Sequence, residues 1–174
     1  MTCCWWRATR GTGLAQGDLL SDCLVPMLTA EPEPLAVEPA EQTLKRARLI
    51  VVTQSCDLEN QRVEFVALCP IHTLEEFEAP NPEFAKKGQW ENVRKGRIEG
   101  LHLLASAEQP DNNRASLVVD FGHIVSIPFP YLAKHANSLG QRWRLDSPYL
   151  EHFSQAFARF FMRVGLPAAI APFK

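Results

Sequence analysis

The sequence predicts a mainly β domain, a small barrel closed by one amphipathic helix near the C-terminus. Short runs of apolar and β-branched residues follow one another along the chain, and Gly, Pro and Asn separate them. Strong helical periodicity occurs only near the C-terminus. The length of 174 residues suits a single domain with its own core. An open α+β sheet is the alternative arrangement of the same elements.

The composition is that of an ordinary globular protein, with 46% apolar and 22% charged residues. The net charge of −2 creates no overall attraction to nucleic acid or to an anionic membrane, so either contact needs a local patch. No apolar run reaches the roughly 18 residues of a membrane helix, and residues 1–10 lack the apolar core of a secretory signal. We therefore expect a cytoplasmic protein without membrane contact.

Both chain ends are predicted to lie outside the compact domain, which spans residues 15–167. Residues 1–14 end in a Gly-rich turn and form an N-terminal appendage, and residues 168–174 form an apolar C-terminal tail. The neighbouring Trp5 and Trp6 either anchor the appendage on the domain or contact a partner. The tail is a second candidate for partner contact.

The domain is expected to open with a strand and a long loop. The strand covers 17–25 and ends at Pro26, because proline cannot donate a hydrogen bond to a strand ladder. Three prolines and four glutamates then make 29–43 an exposed acidic loop.

Two apolar runs, 49–53 and 63–68, predict a β-hairpin. The first run is rich in β-branched residues, and Asn60-Gln61 supplies the turn between them. Pro70 is expected to end the pairing.

The second half of the domain is predicted to contain a helical insertion, further strands and a final helix. Residues 82–100 are basic and helical in pieces. Short strands follow at 101–105, 115–121, 124–127 and 142–145.

The final helix covers 147–164, with Ser147 as its cap and Pro148 at its first position. Apolar residues recur along it at spacings of three, four and seven, which is the pattern of a core-facing stripe. We therefore expect its aromatic residues to pack against the barrel rather than against a partner.

The order of these elements resembles that of a known toxin family. Gly17-Asp18-Leu19 opens the domain, a long loop follows, and Arg48 precedes a Val-rich strand. Thr73 follows the next strand, and the strand-like stretch 120–127 lies near the C-terminal helix. In residues 15–164 the chain is similar to the MazF/PemK/Kid toxins, which are SH3-like barrels that cut single-stranded RNA. The resemblance implies a small SH3-like barrel with a helical insertion and a C-terminal amphipathic helix.

The same resemblance places Arg48 and Thr73 near the family's site, and the chemistry of RNA cleavage adds His72 to the predicted catalytic residues. Cleavage through the RNA 2′-hydroxyl needs a base, an acid and a cation that stabilises the charged phosphorane. Arg48 would supply the cation, His72 the base or acid, and Thr73 a hydrogen bond to phosphate. The alternative is that Arg48 is a solvated charge before a strand and His72 an ordinary turn residue.

The basic insertion is the best candidate surface for nucleic acid. Its cations would meet phosphates while a tryptophan stacks on a base. The residues are Lys86, Lys87, Trp90, Arg94, Lys95 and Arg97. A solvated helix face with the tryptophan held against the barrel is the alternative.

The cysteines predict neither a disulfide framework nor a metal site. Their number, five, is odd, and Cys56 and Cys69 have apolar neighbours typical of small core residues. Cys69 and His72 are spaced like one of the two ligand pairs of a zinc site. Cys23 and Cys56 would have to supply the other two ligands. A catalytic thiol at Cys56 would need a histidine that the spacing does not identify. No cofactor is predicted.

Two functions remain open from the sequence. The first is a binding or accessory module in a toxin–antitoxin or phage-defence assembly, with a protein partner and with single-stranded RNA as a further candidate ligand. The alternative is a metal-independent endoribonuclease that cuts single-stranded RNA. The oligomeric state is not defined by the sequence.

Overall fold

The protein is mainly β with helical parts, as predicted. The structure, a computed structural model, describes residues 5–28 and 42–162. Eight strands within these ranges form one antiparallel sheet. They are β1 (Trp6–Arg10), β2 (Asp18–Leu28), β3 (Gln42–Val51), β4 (Phe65–Thr73), β5 (Leu101–Leu104), β6 (Leu117–Asp120), β7 (Val125–Pro128) and β8 (Gln141–Leu145).

The helices connect and cover the strands. Two short 3₁₀ turns, Pro82–Ala85 and Asn113–Ala115, accompany them. The α-helices in the described ranges are α1 (Ser55–Glu59), α2 (Leu74–Glu78), α3 (Gln89–Arg94), α4 (Phe129–Ser138) and α5 (Tyr149–Phe161). None of these helices has the length and apolar character needed to cross a membrane.

The strand order is β1-β8-β2-β3-β4-β6-β5, and β7 joins the sheet beside β4. Strand β4 is the branch point. Its first half pairs with β7 and its last three residues pair with β6, while β3 lies along its other edge. The sheet therefore branches at β4, where β7 adds side chains to one core and β6 adds side chains to a second.

Side chains alternate between two cores across the central strands, as the strand period of two requires. Leu49 and Val51 belong to the first core, which α4 covers with Leu132. Ile50 and Val52 belong to the second core, which α5 covers with Phe153. The apolar stripe of the C-terminal helix thus packs against the sheet, as its spacing predicts.

The sheet curls around the second core until its two outer strands approach each other. The indole N–H of Trp6 in β1 donates to the carbonyl of Ala105, directly after β5, over 2.8 Å. This buried contact links the two ends of the strand order and gives the sheet a barrel-like form.

The N-terminal segment is an integral part of the sheet, so the expected appendage does not hold for residues 6–14. Strand β1 pairs along its whole length with β8, and Trp6 and Leu14 are buried. Trp5 stacks on Tyr149 of α5, with ring centroids 3.7 Å apart. Residues 1–4 lie outside the described ranges.

The predicted hairpin strands are antiparallel neighbours, but two details of that prediction are wrong. Helix α1, rather than a two-residue turn, connects β3 to β4. Pro70 does not end β4, which continues to Thr73. Pro70 lies where β4 leaves β3 and takes β6 as its neighbour, and a missing N–H is tolerated at such a point.

The predicted end of β2 at Pro26 is also wrong, because the strand continues through Pro26 to Leu28. In the described residues, β8 pairs with β2 only at Asp18 and Leu19, so Pro26 lies in an edge region where no second ladder needs its N–H. The expected loop at 29–43 lies almost wholly outside the described ranges.

Helix α5 begins later than predicted. Pro148 is its cap position, no side chain caps it, and Ser147 lies before it. The end of the predicted helix, residues 163–164, and the tail 168–174 lie outside the described ranges. Helix α4 was not predicted at all, although Pro130 in its first turn and the buried pair Leu132 and Ala136 at i, i+4 spacing were a usable signal.

Candidate functional site

The structure brings together the three residues of the predicted catalytic site around a fourth, Glu76. Thr73 ends β4 and caps α2, because its hydroxyl accepts the N–H of Glu76 over 3.1 Å. The Glu76 carboxylate accepts the N–H of Thr73 in return over 2.7 Å, which completes a capping box. The same carboxylate forms an ion pair with Arg48.

Arg48 and the Thr73 hydroxyl, which the predicted chemistry needs for RNA, are both bound to Glu76. Burial would raise the pKa of Glu76, but hydrogen bonding to Thr73 and the Arg48 charge outweigh it and hold that pKa below its ordinary value. The charged carboxylate neutralises Arg48. Burial lowers the pKa of the neighbouring His72. A catalytic role for Arg48, His72 and Thr73 stays a prediction.

Trp90 is held inside the insertion and does not present a free ring for base stacking. Its indole N–H donates to Glu78 over 2.7 Å, and its ring packs against Phe77 and Phe84 at 5.8 and 5.2 Å. Arg114 fixes the Glu78 carboxylate from the other side with two hydrogen bonds. Trp90 thus packs against neighbouring helical segments, whereas the alternative interpretation expected it against the barrel, and nucleic-acid binding by this surface stays a prediction.

The cations of the insertion differ in their contacts. Lys86 and Lys87 are exposed before α3, and the exposed Arg97 after α3 donates to the Asn92 side chain over 3.4 Å. Arg94 and Lys95, at the end of α3, both contact Glu91, with nitrogen–oxygen distances of 2.6 and 3.1 Å. Hydrogen bonds from these two cations lower the pKa of Glu91 to about 2.

The cysteines do not converge on His72. Cys23 lies in the first core and Cys69 in the second, on opposite faces of the sheet, while Cys56 is exposed on α1. Burial raises the pKa of both core thiols to about 12, which disfavours the thiolate that metal binding requires. Within residues 5–28 and 42–162, no three His, Cys, Asp or Glu side chains are placed to hold a metal ion.

A cleft of about 280 Å³ lies where α3, β5 and α5 meet. Its floor is mostly apolar and includes the buried Phe121 and Val93. Exposed side chains form its rim. The rim residues that carry charge or can be protonated are Arg94, Lys95, Glu99, His152 and Arg159.

Two elements distant in sequence supply the rim. Arg94 and Lys95 come from the end of α3, as the predicted basic surface anticipated. His152 and Arg159 come from α5, where they lie seven residues apart on one helix face. The seven-residue spacing of His152 and Arg159 is a signal in the sequence, although the aromatic stripe is the stronger pattern of this helix. Three cations face one carboxylate in this lining, so the cleft favours anions.

His102 of β5 lies in the cleft as a neutral imidazole at pH 7. Its ring packs against Phe121 and Phe153, with centroids 6.0 and 5.9 Å apart. Burial, with a smaller contribution from the charge of His152, lowers the pKa of His102 to about 4. A neutral imidazole carries one hydrogen-bond donor and one acceptor.

The low pKa of His102 predicts a loss of stability in mild acid. The unfolded chain takes up this proton near pH 6.5, whereas the folded protein does so only near pH 4. Stability is therefore complete above pH 6.5 and falls as the pH falls toward 4. Between pH 7 and pH 5, His102 should lower the free energy of unfolding of the wild type by roughly 2 kcal/mol. The His102→Gln variant should lack this part of the decrease. Urea unfolding at both pH values checks this, and an identical decrease in the two proteins would contradict it.

No protein-family model matches this chain, and a comparison with curated proteins finds no match.

Proposed function

We propose that the protein is a nucleic-acid-binding module that holds the phosphates of a single strand at the cleft between α3 and α5. One observation carries this proposal. Cations from two separate parts of the chain, Arg94 and Lys95 on one side and Arg159 on the other, converge on the rim of one concave site. Phosphate contacts from Lys and Arg supply most of the affinity of such modules.

The carboxylate of Glu91 competes with a bound phosphate for Arg94 and Lys95. Its ion pairs are exposed, and exposed pairs contribute little because water screens the two charges. A backbone phosphodiester offers the Arg94 guanidinium two oxygen acceptors and one negative charge, as the carboxylate does. Binding therefore exchanges a weak internal pair for a contact with the strand that also releases the counterions of the strand.

Substitutions on the rim should change affinity in opposite directions. Arg159→Gln removes one phosphate contact, so it should weaken binding to a labelled single-stranded RNA and lower the salt dependence of binding by about one unit. Glu91→Gln removes the internal competitor and should tighten binding about two- to five-fold. Fluorescence anisotropy over a salt series measures both effects.

The exposed Lys134 on α4 provides the matched control. Lys134→Gln removes the same charge from a helix that covers the other core, and its affinity should equal that of the wild type. Equal losses in Arg159→Gln and Lys134→Gln would show that binding is diffuse and would overturn the assignment to the cleft.

The wider setting of this module is a toxin–antitoxin or phage-defence assembly in which it also contacts a protein partner. This part of the proposal is supported only by the likeness of the element order to the MazF/PemK/Kid family. Size-exclusion chromatography of the chain mixed with the products of neighbouring genes tests it. The absence of any co-eluting complex would contradict it.

A second function, metal-independent endoribonuclease, is favoured by one specific observation. His102 and His152 lie in the same cleft as the cations. Neutral His102 would accept the 2′-hydroxyl proton, the 2′ oxygen would attack phosphorus, and His152 would donate a proton to the departing 5′ oxygen. The products would be a 2′,3′-cyclic phosphate and a 5′-hydroxyl, with Arg159 stabilising the phosphorane.

Incubation of labelled RNA in the presence of a chelator decides between the functions. An enzyme should cut RNA but only bind the same strand carrying 2′-O-methyl groups. Loss of cutting in His152→Gln would place the activity in the cleft, and loss in Arg48→Ala would place it at the predicted site near α2. Binding without cutting at high protein concentration would contradict the ribonuclease.

A further inference from the structure

The lining of the cleft combines apolar side chains with cations, and a site for phosphate alone needs only the cations. We propose that it is a nucleotide subsite, in which one unstacked base lies on the apolar floor and its phosphate meets the cationic rim. This inference rests on the proposed function, because it assigns a ligand class to the same cleft.

The floor carries the first step. Phe121 is buried beneath it, and the partly exposed side chains of Ala156 and Phe160 extend the apolar surface along α5. Apolar surface gains nothing from a bare phosphate, whereas a base offers a ring that such a floor can remove from water. Base contact with aromatic surface is a main source of affinity in single-strand binding.

The size of the cleft limits the ligand to one small ring system. Pockets for complete small molecules span roughly 300–1,000 Å³, and this cleft is at the lower end with about 280 Å³. A run of stacked bases does not fit this space. A duplex keeps its bases inside the helix and reaches only the rim.

The loop between α3 and β5 forms one wall, to which Ile98, Glu99 and two glycines contribute. Gly96 and Gly100 both have positive φ, 67° and 86°. A Cβ on Gly100 would lie 3.1 Å from the Phe160 ring, so this backbone already covers part of that ring. A Cβ on Gly96 would meet no atom within 4 Å, so the wall leaves room for a flat ligand at Gly96 rather than at Gly100.

Neutral His102 adds a polar group suited to a base edge. One ring nitrogen donates and the other accepts, as the hydrogen-bonding edges of bases require. A peptide of acidic residues alone would satisfy the rim cations but would leave the apolar floor in contact with water. The observations therefore favour a nucleotide over a peptide.

A matched pair of substitutions on α5 isolates the base subsite. Ala156→Leu adds bulk to the floor, and Ala158→Leu adds the same bulk to the exposed face outside the cleft. Leucine is a good helix former, so both variants should fold. Anisotropy is measured with a mixed-sequence single-stranded RNA and with a strand of equal length and charge whose sugars lack bases.

The abasic strand should bind about ten-fold more weakly than RNA to the wild-type protein. Ala156→Leu should bind RNA about ten-fold more weakly than the wild type does, and it should bind the abasic strand with wild-type affinity. Ala158→Leu should bind both strands as the wild type does. Equal affinity of RNA and abasic strand would overturn the nucleotide subsite, as would equally effective competition by an acidic peptide of the same charge.

The two levels of the proposal fail in different ways. If the base contributes nothing but Arg159→Gln still weakens binding, the phosphate-binding function stands and the nucleotide subsite is wrong. If neither strand binds, both are wrong.

Discussion

Asp18→Ala should lower the free energy of unfolding by about 3–5 kcal/mol. The Asp18 side chain is fully buried, with 0% of its surface exposed, between two arginines of β8. The carboxylate accepts hydrogen bonds from Arg142 over 3.2 Å and from Arg144 over 2.9 Å. Removing it leaves two cations without their counter-charge, and the Arg142 side chain is only 1% exposed.

The effect is large because the network joins three parts of the chain. Asp18 also accepts the N–H of Ala15 over 3.1 Å. Arg142 donates to the carbonyl of Gly11 over 2.8 Å, and Arg144 to that of Gly13 over 2.9 Å. The two arginines therefore tie the connection between β1 and β2 to β8.

Urea unfolding measures this prediction, and Asp111→Ala supplies the control. Asp111 is an exposed loop residue, so its substitution should change the unfolding free energy by less than about 0.5 kcal/mol. A loss below about 1 kcal/mol in Asp18→Ala would show that the buried ion network does not hold the N-terminal part of the sheet.

Phe153→Ala should be destabilising by a similar amount, about 3–5 kcal/mol. Phe153 has 0% of its surface exposed and lies at the centre of the second core. Its ring contacts those of Phe121 and His102, with centroids 5.7 and 5.9 Å apart. Truncation leaves a cavity directly beneath the cleft, so RNA affinity should fall as well.

Phe161 on the same helix is the matched control, because 53% of its surface is exposed. Phe161→Ala should cost less than about 1 kcal/mol, since most of its ring already contacts water. Comparable losses in the two variants would contradict the assignment of Phe153 to the core and of Phe161 to the surface.

Local patterns predicted the elements whose own residues determine them. The β-branched run that became the end of β3 and the periodic phenylalanines of α5 gave the mainly β fold and its C-terminal helix. Strand β1 carries no such pattern, because three of its residues are polar and its neighbour β8 lies at the other end of the chain. Pairing of that range depends on tertiary structure and cannot be derived from the strand itself.

The candidate site was predictable only in part, for the same reason. Arg94 and Lys95 were visible as part of a basic insertion. Their alignment with Arg159 depends on where α5 packs, which no spacing in the sequence reveals. Glu76 was missed because its role arises from the capping box with Thr73 and from the ion pair with Arg48, which is distant in sequence.

Amide chemical-shift mapping with a short single-stranded RNA locates the binding site directly. The perturbed amides should cluster in the range 95–102, between α3 and β5, and on the α5 face from His152 to Phe160. Arg159→Gln should reduce these perturbations at equal RNA concentration. Perturbations centred on Arg48, Thr73 and α2, or none at all, would contradict a nucleic-acid site in the cleft.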